Sequence, residues 1–217
     1  MSQLRKKTIL HIFSGDLWAG AEVMVFNLLN RLKDDPELEI IALSLNEGVL
    51  SDKLRRAGLE TYVIPERKHS FTIIFLKAIG LLGKRRIDCI HTHRYKENLL
   101  GLLLSKVLGA KKLITTMHGM SEHRQSAGKG DDDDERLSLS TKINYYMLKK
   151  QFTDVITVSN EMKETLTRKF GFTPENVKVI HNGIPFPQPL SLPVSTPFFH
   201  IGTVGRMVPI KDYDLFL

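Results

Sequence analysis

Two cations near the carboxyl end have the spacing of an anion clamp. The segment HIGTVGRMVPIKDYDLFL, residues 200–217, runs an apolar stretch, Phe198–Val204, into Gly205, Arg206 and then Lys211. An arginine fork and a lysine point charge behind a glycine turn suit a phosphate group, the plainer alternative being two surface cations. Near the amino end, SGDLWAGAE (residues 14–22) follows an apolar run and opens a helical one. Gly15 and Gly20 permit a tight turn and close backbone approach, and the free amides of a helix start favour an anion. An ordinary turn with an acidic helix start at Glu22 accounts for the same letters equally well.

Histidines supply the titratable chemistry. His91 and His93 alternate along one expected strand and so face the same side, with Thr92 opposite. A His-x-His pair can ligate metal, but no third ligand is evident beside it, so no metal site is expected and a structural or crevice-rim role is. His118 closes another expected strand before Gly119, a good place for a ligand contact. Cys89, the single cysteine, rules out an internal disulfide and reads as a buried core thiol. Asp131–Asp134 mimics the Asp-x-Asp metal motif of sugar transferases, but it lies in a polar loop rather than at a strand end. It reads as a solvated charge run.

These residues need elements to hold them. Apolar strand-like runs at Thr8–Phe13, Glu39–Leu45, Thr61–Ile64, Asp88–His93, Lys112–Met117, Val155–Val158 and Val177–Ile180 alternate with helical patterns. The helical patterns cover Ala21–Leu32, Val49–Ala57, Phe71–Leu82, Asn98–Leu108, Leu137–Lys150 and Glu161–Phe170. Such alternation predicts right-handed βαβ units: an α/β, doubly wound, Rossmann-like parallel sheet. Ligands of such sheets bind at the carboxyl ends of the strands, which points to the loops Ser14–Gly20, His93–Glu97, His118–Asp134, Ser159–Asn160 and His181–Gly183. Residues 121–135 read as a long mobile loop over that crevice, and 184–197, with five prolines, as a semi-rigid linker. The expected organisation is a Rossmann-like domain over 1–183, the linker, and the first strand and phosphate turn of a truncated second domain over 198–217.

Composition narrows the class. A net charge of +7 suggests anionic partners, but the basic residues are scattered and not interleaved with aromatics, which argues against nucleic acid. The first loop lacks the GxGxxG fingerprint, which argues against a dinucleotide cofactor. No run of about 20 apolar residues occurs, and the apolar run Ile9–Phe13 after the basic start is too short for a signal-peptide core, so a cytoplasmic protein is expected.

Taken in order, the segments resemble the GT-B glycosyltransferases of family 4, the group 1 glycosyltransferases. SGDLWAGAE resembles the family's first glycine loop, with WAGAE where GGAE is common. IHTHRYKENLLGLLLSKVLGAKKLITTMHG resembles its central strand–helix–strand ending in the family's histidine, here His118. DVITVSN and VKVIHNGI resemble its late strands, and GTVGRMVPIKDYDLFL the opening of its second domain. The resemblance implies two Rossmann-like domains facing a cleft, acceptor on the first and nucleotide sugar on the second. It implies a retaining, metal-independent transfer from a nucleotide-diphosphate sugar to a glycan or lipid-linked acceptor in envelope polysaccharide synthesis, with no cofactor. His118, Arg206 and Lys211 would be catalytic. Gly15, Gly20, Asn182, Arg206 and Lys211 would contact the donor, and Asp16, His93, Arg94 and Ser159 would lie on the acceptor side. The loop 121–135 would also meet acceptor, and the basic surface suits peripheral contact with an anionic membrane at its inner face.

The family's Glu-x7-Glu donor element is missing from these 217 residues, and a full second domain needs roughly 150 more, so the isolated chain is expected to be inactive. A nucleotide-sugar epimerase of the same GT-B architecture, or a non-catalytic acceptor-binding subunit paired with a separate donor domain, are the alternatives.

Overall fold

A computed structural model describes residues 5–119 and 138–184, together with residues 198, 201–203, 205 and 213. The chain divides into two compact units, Met1–Pro185 and Phe186–Leu217, and the sheet with its helices belongs to the first.

Seven strands form one wholly parallel sheet: β1 (Lys7–Phe13), β2 (Leu38–Ser44), β3 (Glu60–Val63), β4 (Cys89–Thr92), β5 (Lys112–Met117), β6 (Asp154–Thr157) and β7 (Val177–Val179). Helices α1 (Gly20–Leu32), α2 (Val49–Arg56), α3 (Phe71–Leu82), α4 (Tyr95–Leu108), α5 (Leu139–Gln151) and α6 (Asn160–Arg168) fill the crossovers, and a short 3-10 turn, Pro174–Asn176, leads into β7. The spatial order is β3-β2-β1-β4-β5-β6-β7. The chain winds one way from β1 to β3 and the other way from β4 to β7. The direction reverses between β1 and β4, where a doubly wound sheet opens its ligand crevice.

The sheet is covered on both faces, as parallel strands require. On β1 and β2 the side chains sort by parity. Leu10, Ile12, Ile41 and Leu43 join a core that includes Ile74 and Ala78 of α3, Leu100 and Leu104 of α4 and Leu148 of α5. Phe13, Ile40 and Ala42 turn the other way, onto Val25 and Leu29 of α1 and Leu50 and Leu54 of α2. Each such aliphatic side chain, taken fully out of water, stabilises the fold by about 1.5–3 kcal/mol before entropy is counted. Helix α4 lies so close to β4 that a Cβ on Gly101 would stand 2.6 Å from the Thr92 methyl. Any larger residue there would push the helix off the sheet.

Element types agree with the pattern read from sequence, most boundaries shift by one or two residues, and the largest shift is at α4. Helix α4 begins at Tyr95 rather than Asn98. Arg94 is extended and serves as its cap, and Glu97 in the first turn complements the helix dipole, so polar residues that read as loop belong to the helix. Helix α6 begins at Asn160 and ends at Arg168, short of Phe170. Cys89 is half-buried rather than a core thiol, because it opens its strand at the amino end. Burial still pushes its pKa up to about 11, which removes it as a nucleophile. The loop 121–135 with its aspartates, the prolines of the linker, and Arg206 and Lys211 lie outside the described residues. The strand expected at Phe198–Val204 lies partly outside them, and the described Ile201–Thr203 are in no strand.

Candidate functional site

Strand β1 ends at Phe13, and the chain turns sharply through Gly15, whose φ is +72°. A Cβ there would be 2.5 Å from the Ser44 hydroxyl oxygen, so both backbone shape and space demand glycine. The turn is pinned from two sides. Ser44 Oγ donates to the Ser14 carbonyl at 3.1 Å or to the Asn46 carbonyl at 2.7 Å, and Ser14 Oγ donates to Glu97 Oε1 at 2.5 Å. Glu97 is buried, and that burial raises its pKa despite the Ser14 bond. Its other oxygen has no hydrogen-bond partner among the described residues.

Helix α1 then starts at Gly20, where an added Cβ would meet open space. The structure itself does not require glycine there, so this backbone is accessible to something outside the fold. Glu22, in the first turn, is buried and receives Arg94 at 2.9 Å, while Asp16 lies 3.7 Å from the same guanidinium. Arg94 therefore clasps the β1 loop to the β4 loop across the switch point. The bridge is half-exposed, so solvent screens it.

Beneath this clasp runs a column of four imidazoles. His11 on β1 is in register with His91 on β4, and His93 is two residues on. His11 shares its face with Phe13, so the histidines lie on the α1 side of the sheet. Ring centroids are 4.8 Å apart for His11–His91, 4.6 Å for His91–His93 and 5.3 Å for His93–His118. His91 Nε2 bonds Thr116 Oγ1 at 2.8 Å, and His93 Nδ1 and His118 Nε2 are hydrogen-bonded at 3.1 Å, one donating to the other. Burial holds all four rings neutral at pH 7. It lowers His91 and His118 to about 4, and lowers His11 and His93 well below the usual value. His118 alone of the four is half-exposed. A neutral half-exposed imidazole at a strand end can hydrogen-bond a hydroxyl but does not serve as a proton donor at neutral pH.

The structure thus brings Gly15, Asp16, Gly20, His93, Arg94 and His118 around the β1–β4–β5 rim. Ser159 and Asn182 stand elsewhere, after β6 and β7. Ser159 caps α6, its Oγ accepting from the Met162 amide at 3.2 Å, and Asn182 is exposed. Sequence reasoning missed His11, Ser14 and Glu97, and took Glu22 for a helix-start charge only. A histidine in the middle of the buried run TILHIF was a visible signal for His11, but its partner depends on the strand order, which spacing does not give. A separate apolar groove of about 410 Å3, lined by Val63, Ile64, Pro65, His69, Lys77, Gly80 and Leu81, lies between β3 and α3, away from these groups.

The family model Glycosyltransferase Family 4 matches residues 18–186. The chain belongs to that family. A capsular polysaccharide biosynthesis glycosyltransferase, CapH of Staphylococcus aureus, is 27% identical over 175 residues, covering 81% of this chain and 46% of its own. The Escherichia coli UDP-Gal:alpha-D-GlcNAc-diphosphoundecaprenol alpha-1,3-galactosyltransferase is 23% identical over 82% of this chain and 45% of its own. Among solved structures, Anabaena HepE in complex with UDP and glucose superposes with a TM-score of 0.63 at 16% identity, over 81% of this chain and 44% of that one. The chain thus spans about half the length of the relatives it matches, and the solved neighbours share its GT-B, Rossmann-like fold. No helix among the described residues is long and apolar enough to cross a membrane.

Proposed function

We propose that this Family 4 chain forms the acceptor-side half of a retaining, metal-independent glycosyltransferase. Its reaction moves a sugar from a nucleotide-diphosphate sugar to a glycan or lipid-linked acceptor in envelope polysaccharide synthesis, at the cytoplasmic face of the membrane and with no cofactor. The observation that carries the reading is the family match over 18–186, which takes in Gly20, His93, Arg94 and His118 of the polar rim.

In this reading the bond from the sugar's anomeric carbon to the diphosphate oxygen breaks and one to an acceptor hydroxyl forms on the same face. The diphosphate leaves with the negative charge. Arg206 and Lys211 meet that charge, which takes the place of a divalent ion. Gly15 and Gly20 keep the first loop thin enough for the donor to approach backbone amides at the start of α1. The neutral His118, half-exposed at the end of β5, contacts the donor sugar near the reacting centre. Asp16, His93 and Arg94 edge the acceptor side, with Ser159 after β6, and Asn182, after β7, contacts the donor. The basic surface, at a net charge of +7, favours a lipid-diphosphate acceptor and an anionic membrane.

Because the isolated chain is expected to be inactive, the test is an assay of this chain joined to a donor-binding half, with nucleotide-diphosphate sugars and lipid-diphosphate acceptors and with chelator present, following both sugar transfer and product anomeric configuration. Arg206→Ala and Lys211→Ala should each lower kcat by about 100- to 1,000-fold. An absence of turnover and of binding across the donor panel would sink the proposal, as would inversion at the anomeric carbon for its retaining step.

A further inference from the structure

We infer that His11, His91 and His93 form a binding site for one late first-row divalent cation, zinc foremost, which ties β1 to β4 at the switch point. Each residue presents one ring nitrogen, and the three nitrogens all lie within 4.8 Å of one another. Zinc bonds imidazole at about 2.0–2.1 Å, which sets tetrahedral ligand atoms about 3.3 Å apart, so ring movements of under about 1 Å close the cluster.

A second observation points to a ligand independently of that spacing. Both ring nitrogens of His11 and Nε2 of His93 are buried with no hydrogen-bond partner among the described residues. Buried polar atoms are nearly always partnered, and an orphan imidazole nitrogen costs stability that a bound ion would recover. The hydrogen bonds that do exist set up the right lone pairs. With the His91 Nε2 proton donated to Thr116 Oγ1, Nδ1 is left as an acceptor. With the His93 Nδ1 proton donated to His118 Nε2, the orphaned Nε2 is left as one. An outer partner that fixes the tautomer of a metal-binding histidine is the usual company of such a site.

The donor set is nitrogen only. That favours zinc, cobalt, nickel or copper over magnesium or calcium, which prefer oxygen. Three protein nitrogens leave a position for water. The ion is a strut between two strands, and no step of sugar transfer passes through it.

The probe is metal alone. Untagged protein is stripped with chelator and titrated with Co2+, reading visible d–d absorption, and then with Zn2+, reading the thermal midpoint. The expected result is one Co2+ per chain, displaced by zinc, and a midpoint that rises with zinc concentration. His11→Phe, which keeps a buried ring, should bind at least about 100-fold more weakly and lose the zinc shift. His69→Ala, away from the cluster, should behave as the parent. X-ray absorption of the Co2+ form should count three imidazole nitrogens, a readout that holds even if His11→Phe does not fold. No binding at one per chain, binding unchanged in His11→Phe, or fewer than three nitrogens each overturns the site.

Discussion

The strand-end residues at the middle of the sheet and those at its far edge are held by opposite means. Between β1 and β4, polar groups from separate strands hold one another: Ser14 with Glu97, Arg94 with Glu22 and Asp16, and His93 with His118. After β6 and β7 they are held by their own neighbourhood or by none. Ser159 caps the helix that follows it, His181 Nδ1 bonds the Val158 carbonyl at 3.0 Å, and Asn182 is exposed. The middle therefore keeps several buried polar atoms unpaired, while the edge residues are satisfied or solvated. Orphaned polar groups are costly, and a fold that retains them has concentrated them where the winding reverses and ligands enter.

Acid should break the middle and spare the edge. The folded pKa values of His11, His91 and His93 lie below the unfolded value near 6.5, so the unfolded chain binds more protons in that window. The stability these residues contribute is fully present above about pH 6.5 and is lost as pH falls below it, toward about 4 for His91. Each buried histidine removes on the order of 1.4 kcal/mol per pH unit across its window. Urea unfolding between those limits should thus show a loss of several kcal/mol, on the order of the whole stability of a small domain. Glu97 acts in the opposite direction, since its raised pKa favours the folded state while protonated, but it is a single group against three. A stability that stays flat over this range would mean the rings are not buried and neutral.

Two glycines in one loop sharpen the contrast between what the fold needs and what a ligand needs. Gly15→Ala forces a side chain into positive φ and against Ser44, and should destabilise by about 1–3 kcal/mol, read as a shift in the urea midpoint. Gly20→Ala meets open space at a helix start and should leave stability unchanged or raise it by up to about 1 kcal/mol. Its expected cost is instead a higher KM for the nucleotide sugar. Equal loss of stability in both variants would erase the distinction.

Local pattern carries the fold a long way. The helix Phe71–Leu82 and the strand Lys112–Met117 have the limits that their periodicity and flanking glycines indicate. The strand order is beyond it, because hydrophobic alternation says which face a side chain takes but not which strand lies beside it. Spacing alone puts His91 and His93 on one face. His11 joins them only through the β1–β4 pairing, 80 residues apart for His11 and His91. The same holds for Ser14 and Glu97, whose bond spans 83 residues of chain. A place after a strand makes Ser159 a crevice residue by sequence. The structure shows the capping role that a serine before Asn-Glu-Met at a helix start also fits.

The smallest effect tests the edge itself. Ser159→Ala removes the oxygen that accepts from Met162 and should cost about 1 kcal/mol, whereas Asn182→Ala, exposed after β7, should cost less than about 0.5 kcal/mol. Thermal melts decide the stability side and acceptor KM the functional side. If Ser159→Ala moves only the melting point, its hydroxyl is spent on α6 and the acceptor rim ends near β5. If it raises acceptor KM beyond what Asn182→Ala does, the rim continues along β6, and a residue that looks fully occupied in its helix cap must exchange that bond for one to acceptor.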